Sequence, residues 1–337
     1  MPLVPMRQVL DEARKGRYGV GAYNVNNMEQ IQALMQGAAE TRTPIILQAS
    51  RGALKYSNMV YLKHLILAAV EENPDLPIVC HLDHGPDLET CKQAIALGFT
   101  SVMIDASLDY GVTKKDGSHP PREFEDNVRL TRQVCNYAHK RGVSVEGELG
   151  TLGGIEGKTK ASEVLLTDPA EVEEFVARTG VDALAIAIGT SHGAYKFKRT
   201  PKLALKLISK VRRRVPETAL VMHGSSSVPQ FLVKQINRYG GKLKKAMGVP
   251  MSQIKKAIKL GIQKVNIDTD GRLGFTAAIR KHLAQNPGVF DQRAYLGAGR
   301  TAIYKVMKKK MIDMGTAGHA GDYKPMTLAQ AKKKWYR

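Results

Sequence analysis

The sequence predicts an α/β protein, a single (β/α)8 (TIM) barrel, and three observations predict it. Eight short apolar, β-branched runs alternate with amphipathic stretches along 337 residues. A polar residue stands at or just past the end of nearly every run. Three of those residues are histidines followed by glycine: His84 in CHLDHG, His192 in GTSHG and His223 in VMHGSS. Alternation repeated eight times is the pattern of a closed parallel sheet covered by helices. A chain of this length is often one barrel domain.

The elements follow in order. Residues 3–14 read as a short amphipathic helix with no signal-peptide core. The strand runs are 19–24 (GVGAYN), 44–49 (PIILQA), 77–82 (PIVCHL), 101–105 (SVMID), 143–148 (VSVEGE), 181–188 (VDALAIAI), 218–222 (TALVM) and 263–268 (QKVNID). Continuous apolar runs of this length suit strands buried on both faces. The barrel strands then end near 24, 50, 83, 105, 148, 189, 223 and 268. Helical patterns fill 28–41, 58–72, 87–97, 122–141, 169–179 and 201–214. Asp168 and Pro169 supply an N-cap and first helical residue. From about 298 a basic helical extension packs outside the barrel, with no second domain and no internal repeat. Two loops, 106–121 and 149–167, exceed bare connectors and are candidate lids.

Composition narrows the function classes. No run of about 18 apolar residues exists, so no membrane span is expected. Three cysteines, Cys80, Cys91 and Cys135, lack paired spacing, which fits a reducing cytoplasm and no disulfide framework. The net charge of +20 comes largely from lysine runs at 242–245, 255–259, 308–310 and 332–334. No aromatic interleaving or nucleic-acid motif accompanies it, so it reads as a solvated basic face and argues against a nucleic-acid partner. A field of this sign attracts phosphorylated metabolites.

In barrels of this kind the site is built from the C-terminal strand ends. Asn24, Ser50, Asp83, His84, Asp105, Glu148, His192, His223, Asn266 and Asp268 all fall there. Three neutral imidazoles converging from three elements can bind one divalent metal and leave its fourth position open, the pattern of a catalytic zinc. Asp83 precedes His84 and points elsewhere by strand alternation, which makes it a general acid/base beside the metal. The same alternation turns His81 away. HGSSS at 223–227 and NIDTDGR at 266–272 follow the seventh and eighth strands, the usual phosphate position. Gly224, Ser226, Asn266, Asp268 and Thr269 supply groups there, and Lys196 adds a point charge.

Together GAYNVNN, LQASRGA, HLDHG, SVMIDAS, SVEGELG, GTSHGAYK, VMHGSSSVP, KVNIDTDGR and GTAGHA resemble the class II, metal-dependent fructose-1,6-bisphosphate aldolases, nearest the subgroup with Calvin-cycle enzymes. The resemblance implies a Zn2+-dependent lyase of glycolysis, gluconeogenesis or the Calvin cycle. Tagatose and sedoheptulose bisphosphates are the alternative substrates. It implies that His84, His192 and His223 bind Zn2+, that Asp83 exchanges the C4 hydroxyl proton, and that Glu156 handles the proton at C3. Gly193, Lys196, Gly224, Ser226 and Thr269 would hold the ketone-side phosphate, with a monovalent cation (Na+ or K+) nearby. Asn266 and Asp268 would meet the substrate hydroxyls, with Asn24 also at the substrate. Ser50 and Arg272 would bind the distal phosphate, joined by Arg293 from a neighbouring subunit of a homodimer or homotetramer. Asp105 and Glu148 match a second, non-catalytic metal position. The chain departs from the family at Ile155-Glu156, where an acidic pair is usual, and at FDQRAYLGAG.

Overall fold

The computed structural model describes residues 3–154, 165–192, 201, 203–244 and 246–336. Eight strands close a parallel barrel: β1 (Val20–Asn24), β2 (Ile45–Ser50), β3 (Ile78–Gly85), β4 (Ser101–Ile104), β5 (Ser144–Leu149), β7 (Ala183–Ile186), β9 (Ala219–Met222) and β10 (Ile262–Ile267), with β10 pairing back to β1. Between them lie two short strands outside the barrel, β6 (Gly153–Gly154) and β8 (Ser191–His192), which pair with each other. The run at 181–188 therefore ends as a strand sooner than its hydropathy suggests. Gly189 turns the chain at φ 89°, and His192 sits on β8 rather than on a barrel strand.

The helices are α1 (Met6–Gly16), α2 (Met28–Thr41), α3 (Arg51–Ser57), α4 (Met59–Glu72), α5 (Leu88–Ala96), α6 (Phe124–His139), α7 (Pro169–Thr179), α8 (Leu205–Arg214), α9 (Gln230–Arg238), α10 (Met251–Leu260), α11 (Thr269–Gln285), α12 (Gln292–Asp313) and α13 (Leu328–Trp335). Local chemistry explains many starts. Asn27, Ser50, Asp87 and Asp168 each accept an amide of the first turn, and Thr327 and Gln330 form a reciprocal capping box. The last long helix begins at Gln292, capped by Asp291, ahead of the start expected near 298.

Two apolar layers hold the barrel. Outside, strand residues such as Leu47, Ile78, Val145 and Leu184 pack against the helices. Inside, Val20, Ala22, Ile46, Val79, Ala185 and Val221 meet Val4, Met6, Val9, Leu10 and Ala13, so α1 stoppers the N-terminal end. The Val4 amide donates to the Ile78 carbonyl at 2.9 Å and fixes that approach. The C-terminal extension runs down the outside. α12 packs on α2 and α11, and after α13 the Tyr336 hydroxyl donates to Asp182 Oδ1 at 2.8 Å, its ring stacked 3.9 Å from His139. All three cysteines are buried free thiols, and burial pushes each up in pKa.

Candidate active site

Side chains two apart on a strand share a face. The residues two before the mouth positions Ser50, Asp83, Glu148 and Asn266 are Gln48, His81, Glu146 and Lys264, and all four are fully buried. They form a polar layer between the apolar interior and the mouth. Lys264 Nζ lies 2.9 Å from Glu146 Oε2, an ion pair poorly aligned for a hydrogen bond, and His81 Nε2 lies 3.6 Å from the same oxygen. Burial would raise the Glu146 carboxyl, but Lys264, His223 and His81 hold it well below the usual range. Burial and the Lys264 charge keep His81 neutral.

His84 breaks the alternation. The β3–β4 register shifts between Leu82 and Gly85, and His84 adopts φ 50°, a left-handed conformation uncommon for a side-chain-bearing residue. His81 is not among the grouped histidine donors, as the alternation expects. It keeps the parity of Asp83, faces the barrel axis and donates or accepts at Ser101 Oγ, 2.8 Å away.

The three histidines converge. Ring centroids are 4.7 Å apart for His84 and His223, 5.0 Å for His84 and His192 and 6.1 Å for His192 and His223. Their donor atoms lie within 4.8 Å of one another. A carboxylate backs each of two rings: Asp105 Oδ2 is 3.0 Å from His84 Nδ1, and Glu146 Oε1 is 2.7 Å from His223 Nε2. Those contacts place the ring protons on the outer nitrogens, as for metal-ligating histidines. The inner nitrogens, His84 Nε2 and His223 Nδ1, then face each other at 2.9 Å. Tetrahedral coordination at about 2.0–2.1 Å sets ligand atoms about 3.3 Å apart. The donor set therefore fits a small divalent cation with slight opening.

His84, Asp105 and Glu148 form a second group able to hold a metal. Asp105 is already engaged: Oδ2 also accepts the Tyr110 hydroxyl at 2.5 Å, and Oδ1 accepts Ser107 at 2.8 Å. Burial opposes its ionisation, yet His84, Tyr110 and Ser107 lower it to about 2.

Asp83 is fully buried and locked from three strands. Its Oδ2 accepts Asn24 Nδ2 at 3.0 Å and Gln48 Nε2 at 3.2 Å, and its Oδ1 accepts Asn266 Nδ2 at 3.2 Å. Ser50, 9% exposed, caps α3 through Ala53 at 3.4 Å. Across the mouth Gly224 has φ 59°, and a Cβ there would lie 2.5 Å from the Ser191 carbonyl oxygen, so only glycine lets this loop approach β8. Ser226 Oγ accepts the Asp268 amide at 3.1 Å, joining the loops after β9 and β10, and Thr269 opens α11.

Other expected residues stand apart or elsewhere. Arg272 is half exposed and pairs with Asp268 at 2.7 Å. Arg293 is 87% exposed in its side chain and hydrogen-bonds Asp291, not the mouth of its own barrel. Glu156, Gly193 and Lys196 lie outside the described residues.

Sequence reasoning missed Gln48, Glu146, Lys264 and Tyr110. The first three carried a signal, because each stands two residues before a recognised mouth residue. Tyr110 carried none, since its contact depends on how the 106–121 loop folds back. Glu146→Gln removes the charge behind His223 and is expected to lower divalent-metal affinity about 10–100-fold. Competition against a chelating dye measures this, and wild-type affinity would reduce Glu146 to filler.

A closed parallel barrel that gathers three imidazoles, two of them backed by carboxylates, and a buried aspartate at its C-terminal mouth has the form of an enzyme, not of a passive scaffold. The family model for class-II fructose-bisphosphate aldolase matches residues 4–319. A fructose-bisphosphate aldolase of Giardia intestinalis is 54% identical over 339 residues, covering 100% of both chains. One from Nostoc sp. is 51% identical, covering 99% of this chain and 96% of that one. Among solved structures, one described as a putative fructose-1,6-biphosphate aldolase from Coccidioides immitis superposes with TM-score 0.75 at 26% identity, covering 94% of this chain and 98% of that chain. The chain belongs to the class-II fructose-bisphosphate aldolases, a family of lyases.

Proposed function

We infer that the protein cleaves fructose 1,6-bisphosphate reversibly to dihydroxyacetone phosphate and glyceraldehyde 3-phosphate, with Zn2+ held by His84, His192 and His223. The observation that carries this reading is the facing pair His84 Nε2 and His223 Nδ1, each ring backed by a carboxylate. When bound, zinc supplies a Lewis acid for the negative charge that develops as the C3–C4 bond breaks. Asp83 takes the C4 hydroxyl proton while the bond's electron pair moves to C3 and C4 becomes an aldehyde. Its three amide donors hold the carboxylate still for that transfer. Glu156 returns a proton to C3. No Schiff-base lysine is required, and Lys264 is committed to Glu146.

Gly193, Lys196, Gly224, Ser226 and Thr269 hold the ketone-side phosphate, with a Na+ or K+ ion beside it. Asn266 and Asp268 orient the substrate hydroxyls, and Asn24 orients Asp83. Ser50 and Arg272 take the distal phosphate, and the exposed Arg293 serves a neighbouring subunit in a homodimer or homotetramer. Asp105 holds His84 and, with Glu148, offers an alternative metal position. The site fits a cytoplasmic enzyme of sugar-phosphate metabolism, in glycolysis, gluconeogenesis or the Calvin cycle. Among the described residues no helix is long and apolar enough to cross a membrane.

The test is cleavage of fructose 1,6-bisphosphate by the purified protein before chelation, after it and after zinc is restored. Activity lost to the chelator and regained with zinc is expected. Absence of cleavage in every metal state overturns the reading. His192→Ala is expected to lose bound zinc and activity together, and an active zinc-free variant removes His192 from the ligand set.

A further inference from the structure

The loop after β9 contains an unusual strain. Val228 adopts φ 49°, a left-handed conformation that β-branched residues avoid. Such a conformation persists only where surrounding contacts over-determine it. Here one carboxylate does so. Asp270 Oδ1 accepts the Val228 amide at 2.7 Å, and Oδ2 accepts the Ser227 amide at 2.8 Å and the Ser227 hydroxyl at 3.0 Å. Asp270 is fully buried at the start of α11. Its countercharge comes from outside the barrel. Lys310, on α12, places Nζ 2.6 Å from Asp270 Oδ2 and donates to Ser227 Oγ at 2.9 Å, with its side chain 5% exposed. Met251 Sδ, 3.6 Å away, closes the remaining side. Burial would lift the Asp270 carboxyl, but Lys310 and the two loop amides hold it below its ordinary value.

We propose that Lys310 is a positioning residue for phosphate binding, acting through Asp270 and Ser227 on the 224–228 loop. It rests on the assignment of that loop to the ketone-side phosphate. The physical case is that a buried carboxylate grips neighbouring amides strongly only while ionised, and it stays ionised only while its cation is in place. Without the ammonium, Asp270 takes up a proton or admits water, and two amides lose their fixed acceptor. Val228 then relaxes, Ser226 loses its register against the Asp268 amide, and the phosphate meets a loop that must be ordered on binding. The C-terminal extension thus contributes to the site without touching substrate.

Lys310→Met keeps the side-chain volume and removes the charge. In the zinc-loaded enzyme, calorimetry with inorganic phosphate is expected to show affinity about tenfold weaker than wild type, the scale of one lost charge-assisted interaction. KM for fructose 1,6-bisphosphate rises in parallel, kcat changes far less, and zinc content is unchanged. Phosphate affinity equal to wild type, whatever the melting temperature, overturns the proposal. Should Lys310→Met not fold, Ser227→Ala removes Lys310's direct contact with the loop and leaves its ion pair intact. A smaller loss of phosphate affinity is expected there, and no loss again overturns the proposal. Phosphate binding is read without turnover. A wild-type protein that binds phosphate but cleaves no fructose bisphosphate therefore fails the proposed function alone, and one that cleaves it while Lys310→Met binds phosphate normally fails this inference alone.

Discussion

Asp83→Ala is expected to keep its zinc and lose about 10²–10⁴-fold in kcat, the span of general acid/base catalysis. The separation of effects is the informative part. The carboxylates set directly against the His84 and His223 rings are Asp105 and Glu146. The Asp83 carboxylate accepts from Asn24, Gln48 and Asn266. Removing the carboxylate leaves three amides to re-pair or take up water, and Asn266, which also lies 3.2 Å from His223 Nδ1, keeps that ring as a neighbour. Zinc content by elemental analysis and steady-state rates distinguish the cases. A rate near wild type would remove Asp83 from the proton transfer, and loss of zinc would recast it as support for the metal centre.

Lys264→Met is expected to have the largest effect on stability, about 3–5 kcal/mol, because it leaves Glu146 buried without its cation. Both side chains are fully enclosed. The double variant Glu146→Gln with Lys264→Met removes both charges and is expected to recover most of the loss, since paired neighbours are strongly non-additive. It still lacks the carboxylate behind His223, so metal affinity stays low while stability returns. Thermal unfolding in excess chelator reads the first quantity and metal competition reads the second. A single variant as stable as wild type would mean that Glu146 is protonated in place.

Much of the barrel was legible because its signals are local. Eight apolar runs, the Asp168-Pro169 start and the three His-Gly steps each declare themselves within a few residues. The mouth was legible because strand ends and polar residues coincide in the sequence. What escaped depends on geometry that spacing does not encode. Alternation does not foresee the left-handed turn at His84 or the register slip at Gly85. The end of β7 is set by the turn at Gly189, not by the apolar run to Ile188. Lys310 reads as one of many lysines in KKK, yet it is buried against a carboxylate 40 residues upstream at Asp270, while Lys309 beside it is solvent-facing with Asp313. Charge counted along a chain does not tell a solvated lysine from a structural one.

The stopper formed by α1 has a consequence for traffic. Among the described residues, Met6, Val9 and Leu10 seal the barrel at one end and leave the mouth as the doorway. Both fragments of a cleaved sugar must depart by the route the sugar entered, past the rim loops and not through the floor. Departure is then a queue, and a molecule lodged at the rim blocks admission and discharge alike.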